Sequence, residues 1–270
     1  MKGFELKQKN GVNYLSIPGF ENSGMVRTCF STRLQGVSKG GYSSLNMGLS
    51  SGDLRENVIE NIKIICDATG FNIKDMVLPD QVHGSKCSIV KACDRGKGVD
   101  RGSDIKGVDA LITSERGVVI CILTADCVPI FLLDEESGVI AICHAGWRGI
   151  IYEVIPKTVL KMTESFLARP EEIKAAIGPS IGPCCFEVGD DVKDKFQESF
   201  GSDAGIINDK GAKCNIDLWS AACLQLENAG IKQENIIKSN LCTCCNKDYF
   251  YSYRRDGSKT GRMISMIELI

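Results

Sequence analysis

Short apolar runs broken by polar turns make up much of the chain, and this pattern is typical of β-strands. Alternating apolar and polar residues predict a strand at residues 12–17. The runs at residues 118–123 and 139–143 are β-branched and uncharged, so both predict buried strands. An apolar run at 129–133 and a polar turn connect them. Further strands are predicted at residues 25–31, 86–90, 108–113, 174–178 and 263–270.

Helical periodicity appears in four segments that lie between these strands. Asp53 and Glu56 are spaced as in a capping box, and the helix that follows is expected to end at Gly70. Residues 150–167 predict a long helix interrupted by Pro156, either by a kink or by an N-terminal turn that ends before it. Two shorter helices are predicted at residues 188–200 and 217–228. Helices and strands do not alternate strictly, which favours a single α/β domain over residues 1–270 with mixed sheets.

Composition and charge exclude several classes of protein. The 270 residues are 43% hydrophobic and 24% charged with a net charge of −2, values that are ordinary for a globular protein. Without a long basic run, nucleic-acid binding is not expected. No apolar segment approaches the roughly 20 residues that span a bilayer, so no membrane association is expected. The first residues lack an apolar signal core, and we expect a cytoplasmic protein.

The 14 cysteines are too widely spread along too long a chain for a secreted disulfide scaffold. We therefore expect reduced thiols. Two local clusters stand out, Cys184 with Cys185 and Cys242 with Cys244 and Cys245. They do not form two matching C-x-x-C pairs, so free thiols near the surface are favoured there over a second metal site.

Candidate chemistry lies where three predicted strands meet loops. Cys127 and His144 each border a buried strand, and His83 precedes the strand at residues 86–90. The chain contains only 2 histidines. Two imidazoles and one thiolate form a plausible zinc site that leaves a fourth position open. Their wide spacing matches no short zinc-finger pattern, so hydrogen-bonded histidines and an inert cysteine remain the alternative.

Several motifs resemble one known family. The most specific are Asp80-Gln-Val-His-Gly84, Thr124-Ala-Asp-Cys-Val-Pro129 and His144-Ala-Gly-Trp-Arg-Gly149. In this order they resemble the laccase-domain proteins of the YfiH/YlmD type, once called multicopper polyphenol oxidoreductases and now described as purine nucleoside phosphorylases with adenosine deaminase activity. Weaker matches run almost from end to end. The resemblance implies a layered α/β/β/α fold, one zinc ion held by His83, Cys127 and His144, and a nucleoside pocket around it.

The implied reactions are phosphorolysis of adenosine, inosine, guanosine or methylthioadenosine and hydrolytic deamination of adenosine. Zinc deaminases use an activated water and a carboxylate that is not a metal ligand. Asp126, next to Cys127, is the nearest carboxylate in the sequence, and the alternative is that it braces the loop. The expected partners are a purine nucleoside and phosphate, and the chain is expected to be a monomer or a homodimer.

Phosphate and nucleoside must also be held by polar side chains, and five are candidates. Guanidinium groups suit phosphate, and an amide suits a base or ribose. For Arg33 the alternative is a solvated surface charge, for Asn46 a turn-capping amide, and for Arg148 a structural stack or ion pair. The candidates for phosphate or substrate binding are Arg33, Asn46, Arg148, Arg254 and Arg255.

Three other interpretations of the same residues remain open. A metal-free hydrolase would use Cys127 as nucleophile and His144 as base. A single copper ion could occupy the same three ligands, although a multicopper cluster needs more than the 2 histidines present. A structural zinc protein or partner-binding module would require a fourth ligand, for which Cys143 is the candidate.

Overall fold

A computed structural model describes residues 3–209 and 213–270. In this part of the chain the helices are α1 (Pro18–Glu21), α2 (Arg55–Thr69), α3 (Trp147–Ile151), α4 (Val154–Phe166), α5 (Asp190–Phe200), α6 (Leu218–Asn228) and α7 (Tyr253–Asp256). The strands are β1 (Glu5–Lys9), β2 (Val12–Ser16), β3 (Val26–Ser31), β4 (Met76–Val77), β5 (Cys87–Ile89), β6 (Ala110–Thr113), β7 (Val119–Thr124), β8 (Val128–Asp134), β9 (Val139–Ala145), β10 (Lys174–Ile177), β11 (Glu187–Val188), β12 (Ile207–Asp209), β13 (Cys214–Ile216), β14 (Ile236–Lys238) and β15 (Met263–Leu269).

Two six-stranded sheets form the centre of the molecule. The first has the order β1-β2-β3-β15-β7-β4 and the second β14-β10-β8-β9-β6-β5. Most neighbours are antiparallel, but β4 with β7, β10 with β14 and β5 with β6 are parallel. The predicted class, an α/β fold with mixed sheets, is therefore confirmed. A separate three-stranded sheet, β11-β13-β12, was not predicted because its strands are only two or three residues long.

Side-chain alternation along the central strands explains how the layers stack. On β7, Ile120 and Ile122 enter the core between the sheets, whereas Val119 and Cys121 face the core beneath α2. On β9, Ile140 and Ile142 enter the same central core, and the intervening residues face the helices on the other side. Strands covered on both faces need no polar positions, which is why these runs are continuously apolar. The layers follow the order α/β/β/α, as the resemblance implied.

The region around Pro156 confirms one of the two alternatives drawn from the sequence. A short helix, α3, ends at Ile151, and α4 begins at Val154 after Glu153, whose φ is 62°. Pro156 is therefore the third residue of α4. Backbone N–H groups in the first turn have no partner inside the helix, so the missing N–H of proline costs no hydrogen bond there.

The capping box predicted before α2 is wrong. Leu54 occupies the N-cap, and no side chain caps the helix. Asp53 instead accepts the N–H of Leu54 with Oδ1 at 2.8 Å and the amide of Asn46 with Oδ2 at 3.0 Å. The other end is as expected, because Gly70 takes a left-handed conformation with φ 83° and donates its N–H to Cys66.

The predictions about membrane spans and disulfides can be compared with the structure. No helix in the described residues has the length and apolar character needed to cross a membrane. No cysteine in the described residues forms a disulfide.

Candidate active site

The predicted ligands His83, Cys127 and His144 lie together. Strands β8 and β9 pair antiparallel with Val128 opposite Ala145, so Cys127 just before β8 lies near His144 at the end of β9. The ligand atoms of all three side chains lie within 4.8 Å of one another. The two imidazole rings meet edge to face, with centroids 4.7 Å apart. His144 is buried and His83 is exposed, so the group runs from the floor of the site to its mouth.

Gln81 and Asp109 hold the segment that carries His83. The side-chain amide of Gln81 pairs with both backbone groups of Leu123 on β7, at 2.8 and 2.9 Å. Asp109 accepts the backbone N–H groups of His83 at 2.9 Å and Gly84 at 2.7 Å. His83 itself has φ 60°, which is uncommon for a residue other than glycine and is held here by these bonds.

Asp109 also orients the second histidine. Its Oδ1 lies 2.8 Å from Nδ1 of His144, and the carboxylate is fully buried. This contact leaves Nε2 of His144 as the nitrogen available to a metal, the arrangement that second-shell carboxylates impose on metal-binding histidines. Sequence analysis missed Asp109. The available signal was a lone charged residue at the start of the apolar strand β6, where burial requires strong hydrogen-bond partners.

The electrostatics of the group favour a deprotonated sulfur. Burial alone raises the pKa of the Cys127 thiol, but the adjacent His144 and His83 outweigh burial and lower it to about 6. Burial lowers the pKa of His144, whereas the Cys127 thiolate and Asp109 together raise it to about 9. A thiolate is the form of cysteine that binds metals and acts as a nucleophile. The arrangement therefore suits either a metal or a thiolate–imidazolium pair.

Gly146 leaves room beside the ligands. A Cβ atom at this position would lie 3.0 Å from Sγ of Cys127 and 3.0 Å from Cδ2 of His83. Both contacts are tighter than ordinary van der Waals separation, and both partners belong to the candidate ligand set. The glycine in the sequence His144-Ala-Gly-Trp-Arg-Gly149 thus keeps the site open.

The three side chains face a cleft of about 1070 Å³. Aromatic side chains at its wall are Trp147, Phe186 and Tyr253. Six basic residues line it against three acidic ones, which suits an anionic ligand. The basic residues are Arg55, Arg101, Lys106, Arg148, Arg254 and Arg262. Four of them, Arg55, Arg101, Lys106 and Arg262, were not predicted, because they come from loops and helix ends far apart in the sequence.

Two of the predicted substrate residues line this cleft. Arg148 lies over the ring of Trp147, with its guanidinium carbon 4.3 Å from the ring centroid. Arg254 donates to the carbonyl groups of Cys185 at 3.3 Å and Glu187 at 2.6 Å. Arg148 is thus the less restrained of these two cations.

Arg33 and Arg255 lie elsewhere, in a separate pocket of about 590 Å³. Arg33 donates to the carbonyl groups of Ser43 and Lys247, and Arg255 pairs with Asp256 and nearby carbonyl groups. Their guanidinium groups therefore hold loops together. The prediction that they contact the substrate beside the metal ligands is not supported, because their donors are engaged outside that cleft.

Asn46 is a structural amide, as the alternative proposed. It is fully buried, and its Nδ2 donates to Ser51 and Asp53. Its Oδ1 accepts the backbone N–H groups of Gly48 and Arg262, each at 2.9 Å. All of its hydrogen-bonding capacity is used within the protein, which leaves none for a base or ribose.

Asp126 lines the cleft but has three protein donors. Its Oδ1 accepts Thr243 Oγ1 at 2.6 Å, and its Oδ2 accepts Ser252 Oγ at 3.0 Å and the Arg254 N–H at 2.7 Å. Asp126 also has φ 90° and is 8% exposed. This pattern matches the loop-bracing alternative, and the proton-transfer role stays a prediction.

Comparison with known proteins places these features in a family. The family model described as multi-copper polyphenol oxidoreductase laccase matches residues 27–270. The chain belongs to this laccase family. Purine nucleoside phosphorylase YlmD from Geobacillus stearothermophilus is 38% identical over 240 residues, covering 87% of each chain. An adenosine deaminase from an unknown prokaryotic organism is 35% identical, covering 90% of this chain and 93% of its own. The crystal structure of YlmD from Geobacillus stearothermophilus superposes with a TM-score of 0.92 at 34% identity, covering 98% of each chain.

The three candidate ligands of this laccase family member can be compared with the donor sets that copper and zinc require. Clusters of three or four copper ions need many histidines, and this chain has 2. Two imidazoles and a thiolate with an open position match a catalytic zinc site. The same three ligands also resemble part of a single-copper site, so the donor chemistry fits a metal ion without assigning its identity.

Proposed function

We propose that the chain is a zinc-dependent purine nucleoside enzyme. It would phosphorolyse adenosine, inosine, guanosine or methylthioadenosine to the free base and a sugar 1-phosphate, and would deaminate adenosine hydrolytically. The observation that carries this proposal is a group of two imidazoles and one thiolate opening onto a basic, aromatic-lined cleft. The names of the relatives, a purine nucleoside phosphorylase and an adenosine deaminase, support the substrate class.

One zinc ion would be held by His83, Cys127 and His144. Zinc with three protein ligands acts as a Lewis acid and lowers the pKa of bound water to about 7. Asp109 would keep His144 in the tautomer that presents Nε2, and its bonds to the backbone would hold His83 in place. Gly146 would leave the space beside the ion free of side chains.

Phosphorolysis needs phosphate held close to C1′ of the ribose. The bond from C1′ to the purine nitrogen breaks, a bond from C1′ to a phosphate oxygen forms, and the base leaves with a proton. Arg148 and Arg254 are the predicted phosphate ligands that line the cleft, and we propose Arg262, which also lines it, as a third. Preorganised guanidinium groups would bind the phosphate dianion and position it for attack.

The purine needs an apolar surface as well as polar contacts. Trp147 and Tyr253 border the cleft with half-buried and exposed rings, respectively. A planar base can stack on either ring. In deamination, water adds to C6 and ammonia leaves, and Asp126 is the predicted carrier of the transferred proton. The three hydrogen bonds that its carboxylate accepts would also hold Asp126 at the cleft wall.

The experiment is an assay with nucleoside and phosphate that measures free base and ammonia separately. We expect both products from protein that contains zinc, and neither from His83→Ala, Cys127→Ala or His144→Ala, each of which should also lose the zinc ion bound at these three ligands. Cys93→Ser is a matched control, because Cys93 is exposed and lies outside this group. Full turnover by Cys127→Ala protein that holds no zinc at these three ligands would refute the proposal.

A metal-free cysteine hydrolase is the second candidate, because the thiol of Cys127 has a pKa lowered to about 6 beside His144. Zinc analysis and alkylation separate the two candidates. Stoichiometric zinc with no alkylation at Cys127 excludes the hydrolase. Copper exceeding zinc in untreated protein would instead support copper chemistry at the same ligands. The 14 cysteines in a chain of this length also suit a reducing environment, and we propose a cytoplasmic location as well.

A further inference from the structure

Four cysteines outside the candidate active site meet at one point. Strands β10 and β14 are parallel neighbours, with Ile177 opposite Lys238, so the loops that follow them leave the sheet side by side. The pairing continues as a bridge between Ser180 and Cys242. One loop carries Cys184 and Cys185, and the other carries Cys242 and Cys245. Thiols about 60 residues apart in the chain are thereby brought together.

The distances match those of a metal–thiolate site. Sγ of Cys245 lies 3.5 Å from Sγ of Cys184 and 3.4 Å from Sγ of Cys185. All four Sγ atoms, including that of Cys242, lie within 4.8 Å of one another. Four sulfurs placed at a Zn–S distance of 2.3 Å around one ion are about 3.8 Å apart in a regular tetrahedron. The cluster therefore needs only small shifts to surround an ion.

Backbone and side-chain donors around the cluster suit a negatively charged metal–thiolate group. The N–H of Gly182 points at Sγ of Cys242, with an N–S distance of 3.2 Å. Arg254 and Arg255 donate to the carbonyl groups of Cys185 and Cys244, respectively. Four thiolates around a dication carry two net negative charges, and two guanidinium groups lie nearby, although that of Arg255 is also paired with Asp256.

We propose that Cys184, Cys185, Cys242 and Cys245 bind a second metal ion, a thiophilic dication of the zinc class in tetrahedral coordination. Four protein thiolates leave no open position, so the site is structural. This proposal departs from the expectation of free thiols near the surface, because the fold brings together two groups of cysteines that lie far apart in the sequence.

The second ion would brace one wall of the cleft. Between them, the two loops supply three contacts there: the N–H of Ile181 bonds the Asp126 carbonyl, the hydroxyl of Thr243 bonds the Asp126 carboxylate, and Phe186 lines the wall. A metal that ties the loops together would hold these contacts in register. Its effect on catalysis is therefore indirect, through the positions of Asp126 and Phe186.

Metal analysis of the full-length protein, purified under reducing conditions, tests this proposal. We expect two equivalents of zinc per chain in the unmodified protein and one in the double variant Cys184→Ser/Cys245→Ser. His144→Ala should also retain one equivalent, and combining these substitutions should leave none. Cys93→Ser, which removes an exposed thiol elsewhere, should retain two. If only the first site were absent, the unmodified protein would hold one equivalent and the double cysteine variant none, so the two proposals fail separately.

Alkylation of the unmodified protein provides a second measurement that does not depend on a variant folding. Before treatment with a zinc chelator, Cys184, Cys185 and Cys245 should resist iodoacetamide while Cys93 reacts. After chelation Cys184, Cys185 and Cys245 should react as well. An unmodified protein that holds only one equivalent of zinc, with the double variant retaining all of it, would overturn the proposal, as would ready alkylation before chelation. A disulfide among these cysteines in protein purified without a reductant, with only one equivalent of zinc bound, would also overturn it.

Discussion

Replacement of Asp109 by asparagine tests the link between the buried carboxylate and the metal ligands. The carboxylate is fully buried and accepts Nδ1 of His144 at 2.8 Å together with backbone N–H groups of His83, Gly84 and Val82. An amide of the same size has one oxygen and one NH₂ group. Some of the N–H groups that now point at a carboxylate oxygen would therefore face another donor, the NH₂ group. The substitution should therefore loosen both histidines.

The magnitude follows from the number and kind of bonds lost. Hydrogen bonds to a charged group contribute about 1.5–3 kcal/mol each, and at least one is lost in the asparagine variant. The free energy of unfolding should fall by about that amount. Loss of a carboxylate that orients a metal-binding histidine typically weakens metal affinity by about 10–100-fold, or about 1.4–2.7 kcal/mol.

Two assays on the same variant separate these effects. Denaturant unfolding of metal-free protein measures stability, and competition with a chromogenic chelator measures zinc affinity. Asp134→Asn is the matched control, because Asp134 is also buried and accepts three backbone N–H groups, from Glu136, Ser137 and Arg169, but contacts no candidate ligand. The control should lose stability and bind zinc at the first site normally. If Asp109→Asn also bound zinc normally, the proposed orienting role would be refuted.

Three further predictions concern the site and its cleft. Gly146→Ala should weaken zinc binding about tenfold, because the new Cβ meets Cys127 and His83 at 3.0 Å; Gly102→Ala, where a Cβ has open space, should leave the affinity measured by chelator competition unchanged. Arg148→Ala should raise the KM for phosphate about tenfold in the phosphorolysis assay, whereas Arg33→Ala should not change it because Arg33 lines the separate pocket. Protons compete with a metal for imidazole and thiolate ligands, and the pKa of the Cys127 thiol is about 6, so zinc retained after dialysis should fall as the pH falls below that value; full retention at about pH 4 would contradict the assigned ligands.

Local pattern was sufficient for the elements whose burial is uniform. The apolar runs at residues 118–123 and 139–143 correspond to β7 and β9. A strand covered on both faces is apolar at nearly every position, so its composition alone indicates that it is buried. The helix ending at Gly70 was also correct at its C-terminus, where only the local backbone conformation matters. The candidate metal ligands were identifiable because the chain has only 2 histidines and a motif that resembles a known family.

Long-range pairing decided what the sequence could not. Asp109 became part of the site because its carboxylate lies against His144 and the backbone at His83, contacts that depend on which strands are neighbours. Arg33 and Asn46 looked like substrate ligands, but Arg33 lies at a separate pocket and the amide of Asn46 is fully bonded within the protein.

The cysteine cluster shows the same division most clearly. The sequence shows two short groups of thiols whose spacing fits no paired metal motif, whereas the parallel contact between β10 and β14 sets their loops side by side. Hydrophobic periodicity and rare residue types determined the elements and the first candidate ligands, because each is a property of neighbouring residues. The second cluster, the supporting carboxylate and the cleft's basic lining depend on distances between remote segments, and only the folded chain determines those distances.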